Sequence, residues 1–275
     1  MPLAPTLTLN NGVTIPALGL GTWPMNNLET ADAVATAAIA GYRLFDTAEN
    51  YENEAGVGEG IRRSGLPRDE VFVTSKLNKK WHSYDGVQRA FEASSKRLGL
   101  DVIDLYLIHW PNPDQNTYVD AFRGLRALQD SGRVRAIGVS NFLPEHLQQL
   151  FDEGLVPQVN QIKLDPTQNR SDLRAKHAEH GIITEAWSPL GQGNGMIDAP
   201  EIVAIAAAHG RTPGQVVLRW HTQNGIIPTP KSANAVRQAE NISIFDFELS
   251  AAELDALSAL DVGTPLDLDP LSFGH

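Results

Sequence analysis

Four ionisable residues stand just past apolar, strand-like runs: Asp46 after YRLF, Tyr51 in the loop that follows, Lys76 after VFVTS and His109 after IDLYLI. Together they supply a carboxylate, a phenol, an ammonium and an imidazole. A free phenol has a pKa of roughly 10, too high for an efficient acid at neutral pH. A nearby ammonium favours the phenolate and lowers that value. In this reading Lys76 supplies the charge and Asp46 keeps Lys76 charged and aimed. His109 donates a hydrogen bond to a carbonyl oxygen beside Tyr51. The chemistry is the reduction of a carbonyl. Each residue alone has an ordinary reading, a structural ion pair or a satisfied buried histidine. Their recurrence at successive strand ends makes them a site.

These residues meet only if their strands lie parallel in one closed barrel, where the active site sits at the C-terminal strand ends. Strand candidates are ALGLGT (17–22), YRLFDT (42–47), VFVTSK (71–76), IDLYLIH (103–109), RAIGVS (135–140), QVNQIK (158–163), IITEAW (182–187) and GIIPTP (225–230). Several are apolar runs of the kind buried parallel strands show. Helical spacing links Val87, Phe91, Ser94 and Leu98, with Gly99 suited to the C-cap. Leu147, Leu150 and Phe151 follow the fifth strand, and two helical segments separate the seventh and eighth. Ser250 with Glu253 is a capping box for a last helix through Leu260. Before the first strand, alternating Leu7 and Leu9 and the pair Asn11-Gly12 predict a two-residue hairpin. The expected fold class is therefore α/β, a (β/α)8 TIM barrel with an N-terminal β-hairpin. A single domain is expected over residues 1–275. The competing doubly wound sheet lacks its GxGxxG after the first strand.

The chain has 275 residues, of which 42% are hydrophobic, enough for a sizeable core. Its net charge of −11 argues against nucleic acid, because an acidic chain gains nothing from counterion release. It has no cysteine, which excludes disulfides, thiolate chemistry and sulfur-bound zinc. No signal peptide or bilayer-spanning run is visible, so a cytoplasmic protein without membrane contact is expected. His177 and His180 lie three apart on a predicted polar helix and are read as surface residues. No metal site is expected.

Seven separated motifs resemble the aldo-keto reductase family: GYRLFDTAENYENE (41–54), TSK (74–76), LYLIHWP (105–111), IGVSNF (137–142), VNQIKLDP (159–166), EAWSPLGQG (185–193) and PKS…R…EN (230–241). They run in matching order from about Leu7 to Leu260, and look most like the bacterial branch that includes 2,5-diketo-D-gluconate reductases. The resemblance implies a (β/α)8 barrel that binds NADPH without a Rossmann fold. It implies Tyr51 as proton donor, completed by Asp46, Lys76 and His109. It places Ser140, Asn141 and Gln161 on the nicotinamide carboxamide and Trp187 against the nicotinamide ring, and it makes Ser188 and Leu190 of the same motif cofactor-binding residues. Lys231, Ser232 and Arg237 match the positions that hold the 2′-phosphate; as two cations and a hydroxyl at a helix start they suit an anion in their own right. Glu240 and Asn241 match contacts to the adenine end.

Some positions depart from the family. Lys163 and Asp165 replace an acidic residue and a histidine, Glu52 stands where glycine is common, and Asn234 to Val236 replace a Thr-Pro-Glu-like run. These are expected to lie outside the catalytic tetrad.

Four of the five tryptophans, Trp23, Trp81, Trp110 and Trp187, follow strands and are expected to gather on the catalytic face. Trp23 and Trp110, with His109, are the substrate-binding candidates. Short loops after the fourth and seventh strands, and an irregular tail from Val262 reaching the rim, suggest an open pocket for small aldehydes and ketones. A monomeric NADPH-dependent carbonyl reductase is expected. The alternatives are a non-enzymatic NADPH-binding redox-sensor subunit of the same fold and a barrel hydrolase using Asp46.

Overall fold

The computed structural model describes residues 3–263 and 268–274. The predicted tail therefore lies partly outside the described residues. Eight parallel strands form one sheet in sequence order: β3 (Gly19–Gly21), β4 (Leu44–Asp46), β5 (Phe72–Leu77), β6 (Ile103–Ile108), β7 (Val134–Ser140), β8 (Val159–Lys163), β9 (Ile183–Trp187) and β10 (Ile227–Pro228). The first and last close on each other. Gly21 pairs with Lys231 in a parallel bridge, and its N–H donates to Pro230 O at 3.2 Å. A Cβ at residue 21 would lie 2.7 Å from Thr229 O, so only glycine lets the two backbones approach this closely.

Ten helices surround the barrel among the described residues: α1 (Asn27–Ala40), α2 (Glu54–Ser64), α3 (Tyr84–Leu98), α4 (Tyr118–Asp130), α5 (Pro144–Asp152), α6 (Ser171–Glu179), α7 (Pro200–His209), α8 (Pro213–Gln223), α9 (Ala235–Ile242) and α10 (Ala251–Ser258). Their ends follow the expected chemistry. Gly99 caps α3 at φ 67°, and the Ser250–Glu253 capping box opens α10. Alternating side chains split the apolar residues into two layers. One set packs outward against the helices, as Tyr106 does against Phe91 at 6.0 Å. The other fills the barrel: Leu44, Phe72, Leu105, Leu107, Ala136, Val159 and Ile227.

Leu9 and Ile15 of the N-terminal hairpin join that inner layer. The hairpin pairs β1 (Thr6–Thr8) with β2 (Thr14–Pro16). Its connection is wider than the predicted two residues. Leu9 N–H donates to Val13 O at 2.8 Å, while the Asn10 and Asn11 amides donate to Pro157 O and Arg135 O, each at 3.0 Å. The turn opens because both asparagines are used to tie it to the barrel. β10 is shorter than the predicted 225–230 run, because Pro228 and Pro230 offer no N–H to a ladder. No described helix is long and apolar enough to cross a membrane.

Candidate active site

Parallel pairing carries Asp46, Lys76 and His109 to one end of the barrel. Asp46 ends β4, and Lys76 lies near the end of β5, where it pairs with Leu107 of β6 two residues before His109. Lys76 is fully buried. Its Nζ donates to Asp46 Oδ1 at 2.7 Å and Oδ2 at 2.9 Å, to Thr47 O at 3.0 Å, and to Tyr51 Oη at 3.4 Å. The His109 ring stands edge-on to Tyr51, with centroids 5.6 Å apart. Burial works against the Lys76 ammonium, but Asp46 and Tyr51 outweigh it and raise its pKa. Tyr51 differs from the expectation. Burial pushes its phenol up, and the lowering by Lys76 does not overcome that.

Tyr51 reaches this position from a short 3-10 turn, Glu49–Tyr51. The turn is followed by Glu52 at φ 56°, which accounts for the glycine expected there. Two residues unassigned from the sequence hold the turn. The Glu49 carboxylate accepts the Trp81 indole N–H at 2.9 Å and ion-pairs with Lys80 at 2.8 Å. The Asn53 side chain is fully buried, accepts from Thr47 Oγ1 at 2.7 Å and donates to Met25 O at 2.9 Å. Trp81 is thus a brace behind Tyr51. It does not border the cavity, contrary to the expectation that all four strand-following tryptophans face it.

A cavity of about 620 Å³ opens above Lys76. Asp46, Tyr51 and His109 form its floor, and Trp23, Trp110, Trp187, Leu268 and Phe273 its apolar walls. Trp110 is buried and meets Phe273 edge-on at 4.8 Å, so the C-terminal segment does reach the rim. Trp23 is half exposed at the mouth.

Of the cofactor candidates, Ser140, Asn141, Gln161, Trp187, Ser188, Leu190 and Lys231 border this cavity. Four of them are joined by hydrogen bonds, beginning with Ser140 Oγ, which donates to Gln161 O at 2.8 Å. Asn141, held at φ 62°, donates to Ser140 Oγ at 3.0 Å and accepts the Trp187 indole N–H at 2.9 Å. Gln161 donates to Asp46 Oδ2 at 2.8 Å, which links this set to the tetrad.

Ser232, Arg237, Glu240 and Asn241 do not border the cavity; they lie beyond it, at and along α9. Lys231 and Arg237 are exposed there. Asn234 caps α9 and takes the N–H groups of Val236 and Arg237 at 2.9 and 3.1 Å. Two of the backbone donors expected for an anion are therefore engaged, and the buried Ser232 hydroxyl is itself bonded to the Asn234 backbone, which leaves Lys231 and Arg237 as the exposed cations at this helix start.

Lys163 does not border the cavity, but its Nζ lies 5.9 Å from the Trp187 ring. Asp165 is buried and closes a turn, accepting from Thr167 N at 2.8 Å. His177 is not a surface residue. It is buried between Asn160 (2.9 Å) and Thr184 (2.8 Å), and burial pushes its pKa down to about 3. A polar helix hid it because its partners come from the strands beneath. His180 stacks on Phe151 at 3.8 Å. No group of three or more metal-ligating residues occurs among the described residues.

Glu185 is a further residue that the sequence reading passes over, although it opens EAWSPLG and shares the inward face of β9 with Trp187 two residues on. It is fully buried and pairs in register with Gln161.

Comparisons with known proteins agree with this architecture. Residues 17–262 match the model of the aldo/keto reductase family. The chain is 50% identical to an aldo-keto reductase of Mycolicibacterium smegmatis, over 98% of each chain. It is 46% identical to 2,5-diketo-D-gluconic acid reductase B of a Corynebacterium, again over 98% of each. A point mutant of Gox0644, solved in complex with NADPH, superposes with a TM-score of 0.95 at 43% identity over the whole of both chains. With this barrel, this strand-end cluster and this match along nearly all of its length, the chain belongs to the aldo/keto reductase family.

Proposed function

We propose that the protein reduces aldehydes and ketones to alcohols with NADPH, and that Tyr51 is the proton donor. The observation that carries this is Tyr51 Oη at 3.4 Å from a fully buried Lys76, which both oxygens of Asp46 hold, on the floor of an aromatic-walled cavity. The residues present fit the cofactor. Ser140, Asn141 and Gln161 offer the donors and acceptors that a carboxamide needs, and Trp187 offers an aromatic face beside them. Exposed Lys231 and Arg237 suit a phosphate. When bound, NADPH supplies the hydride.

The chain's own residues do the rest. Trp187 and the Asn141 network orient the ring, and His109 orients the carbonyl oxygen beside Tyr51. As charge develops on that oxygen, the Tyr51 O–H bond breaks and its proton passes to the oxygen. The Lys76 ammonium, 4.9 Å from the phenol ring centroid, stabilises the phenolate left behind. The site is assembled from one chain, and a cytoplasmic monomer folded as a single domain over 1–275 is our reading of its setting. Mixing the protein with NADPH and a panel of small carbonyls, and following the cofactor absorbance, tests the activity. No consumption with any carbonyl would sink it and leave a binding role.

Neutralising Arg237 (Arg237→Gln) is expected to weaken NADPH binding while NADH binding barely changes. The contact is charge-assisted but exposed, so the loss is at the low end of its range, about tenfold. Titrating both cofactors by fluorescence checks this; equal losses would refute the phosphate assignment.

Trp110→Ala removes the wall residue that meets Phe273. The KM for bulky aldehydes should rise, by roughly tenfold for about 1.4 kcal/mol of lost contact, with NADPH affinity kept. Loss of cofactor binding with an unchanged substrate ranking would show that Trp110 serves the other half of the cavity.

A further inference from the structure

Glu185 lies inside the barrel next to the machinery, and the mechanism above does not use it. It is fully buried, and neither carboxyl oxygen makes a hydrogen bond of ordinary geometry, although the Gln161 amide is near enough to favour its ionised form slightly. A buried polar group without a partner calls for a physical reason. Its neighbours supply one. Glu185 of β9 pairs in register with Gln161 of β8; Gln161 donates to Asp46 Oδ2, Asp46 holds Lys76, and Lys76 reaches Tyr51 Oη. The titratable groups that face Glu185 are Asp46 from β4, Lys76 from β5 and Tyr51 from the turn after β4. On its other side β10 presents Ile227, which does not titrate.

We propose that Glu185 is a positioning residue of the reduction: it carries a proton beneath the Asp46–Lys76 pair, and its charge state sets how tightly Tyr51 holds its own. With Glu185 neutral, the Asp46 and Lys76 charges cancel and the phenol is an effective acid. An ionised Glu185 adds an uncompensated negative charge to the cluster. That charge favours the protonated forms of both Lys76 and Tyr51, so Tyr51 gives up its proton less readily. Burial, then the Asp46 charge, push the Glu185 carboxyl up to about 8, against the pull of Lys76. The acid therefore stays protonated at neutral pH and ionises just above it. The sign follows: reduction slows as pH rises through about 8. Alcohol oxidation, in which Tyr51 must first lose its proton, gains less from alkaline pH than it otherwise would.

The inference rests on Tyr51 as proton donor, and Glu185→Gln tests it separately. Glutamine keeps the shape and neutrality of the protonated acid and cannot ionise. The readout is the shape of the kcat/KM profile against pH, because a merely structural role would move only its height. The alkaline limb of reduction should shift upward. Relative to its own rate at about pH 6.5, the variant should exceed wild type by roughly threefold or more at about pH 9. In the cofactor-free protein, Tyr51 should ionise at lower pH in the variant, seen as the part of the ultraviolet tyrosine titration that Tyr51→Phe removes. An unchanged limb and an unchanged titration would overturn the proposal while leaving the reductase reading intact. Inactivity of wild type toward every carbonyl would instead overturn that reading. Should the variant fold poorly, the wild-type infrared spectrum decides. A protonated carboxyl band at about pH 7 that fades as pH rises through about 8 supports the proposal, and its absence at neutral pH overturns it.

Discussion

Replacing Tyr51 with Phe should lower turnover by about 10²–10⁴-fold, the usual cost of losing a positioned general acid, with NADPH binding nearly intact. The substitution removes one atom from the site. Phenylalanine keeps the ring that stands edge-on to His109 at 5.6 Å and lies 4.9 Å from Lys76 Nζ. The Lys76 ammonium retains three acceptors, the two Asp46 oxygens and Thr47 O, so the floor of the cavity stays assembled. Steady-state kinetics and a fluorescence titration with NADPH, run on one preparation, separate chemistry from binding. Turnover near wild type would mean that another group or a water delivers the proton.

Lys76→Met is expected to cost both activity and stability. Asp46 is buried, and with Lys76 gone its carboxylate keeps only the Gln161 amide among its side-chain partners. Breaking a buried pair by removing one partner costs about 3–5 kcal/mol. An unpaired buried carboxylate costs most where it is charged, and acid removes that charge, so the penalty should shrink as pH falls. Urea unfolding at several pH values should show the variant closest to wild type in acid and falling away toward neutrality. The phenol meanwhile loses the charge that offsets its burial, so residual reduction should have a different pH profile as well as a lower rate. A uniform loss of stability across pH would mean that the ion pair is not what fails.

Much of the site was legible because strands place chemistry at their ends. DTAENY, TSK and LIHWP each end a strand-like run, and parallel order alone brings Asp46, Lys76 and His109 together. The braces were less legible. Glu49 holds Trp81 and Lys80, and Asn53 joins the loops after β3 and β4. Neither role is visible without knowing which loops meet. His177 misled for a related reason: its own helix is polar, and the strand residues Asn160 and Thr184 bury it. Glu185 sat within a quoted motif and on the same face as Trp187, so period-two alternation would have pointed it inward. A charged residue in a strand reads as solvent-facing until the barrel closes around it. The sign of the Tyr51 shift was likewise out of reach, since it depends on how deeply the phenol is buried.

The seam between β3 and β10 has a consequence beyond shape. A closed barrel has no free strand edge, and an exposed edge is a template for pairing with another chain. Here closure rests on the joint with the fewest residues, two in β10 and three in β3, drawn together where Gly21 donates to Pro230 O. Were the joint to part, β10 would become one of the two new edges. Pro228 and Pro230 would face outward without an N–H, so another strand would find few donors to join. The prolines that shorten this strand also make it a poor partner for strangers, and the barrel carries at its shortest joint a safeguard against self-association.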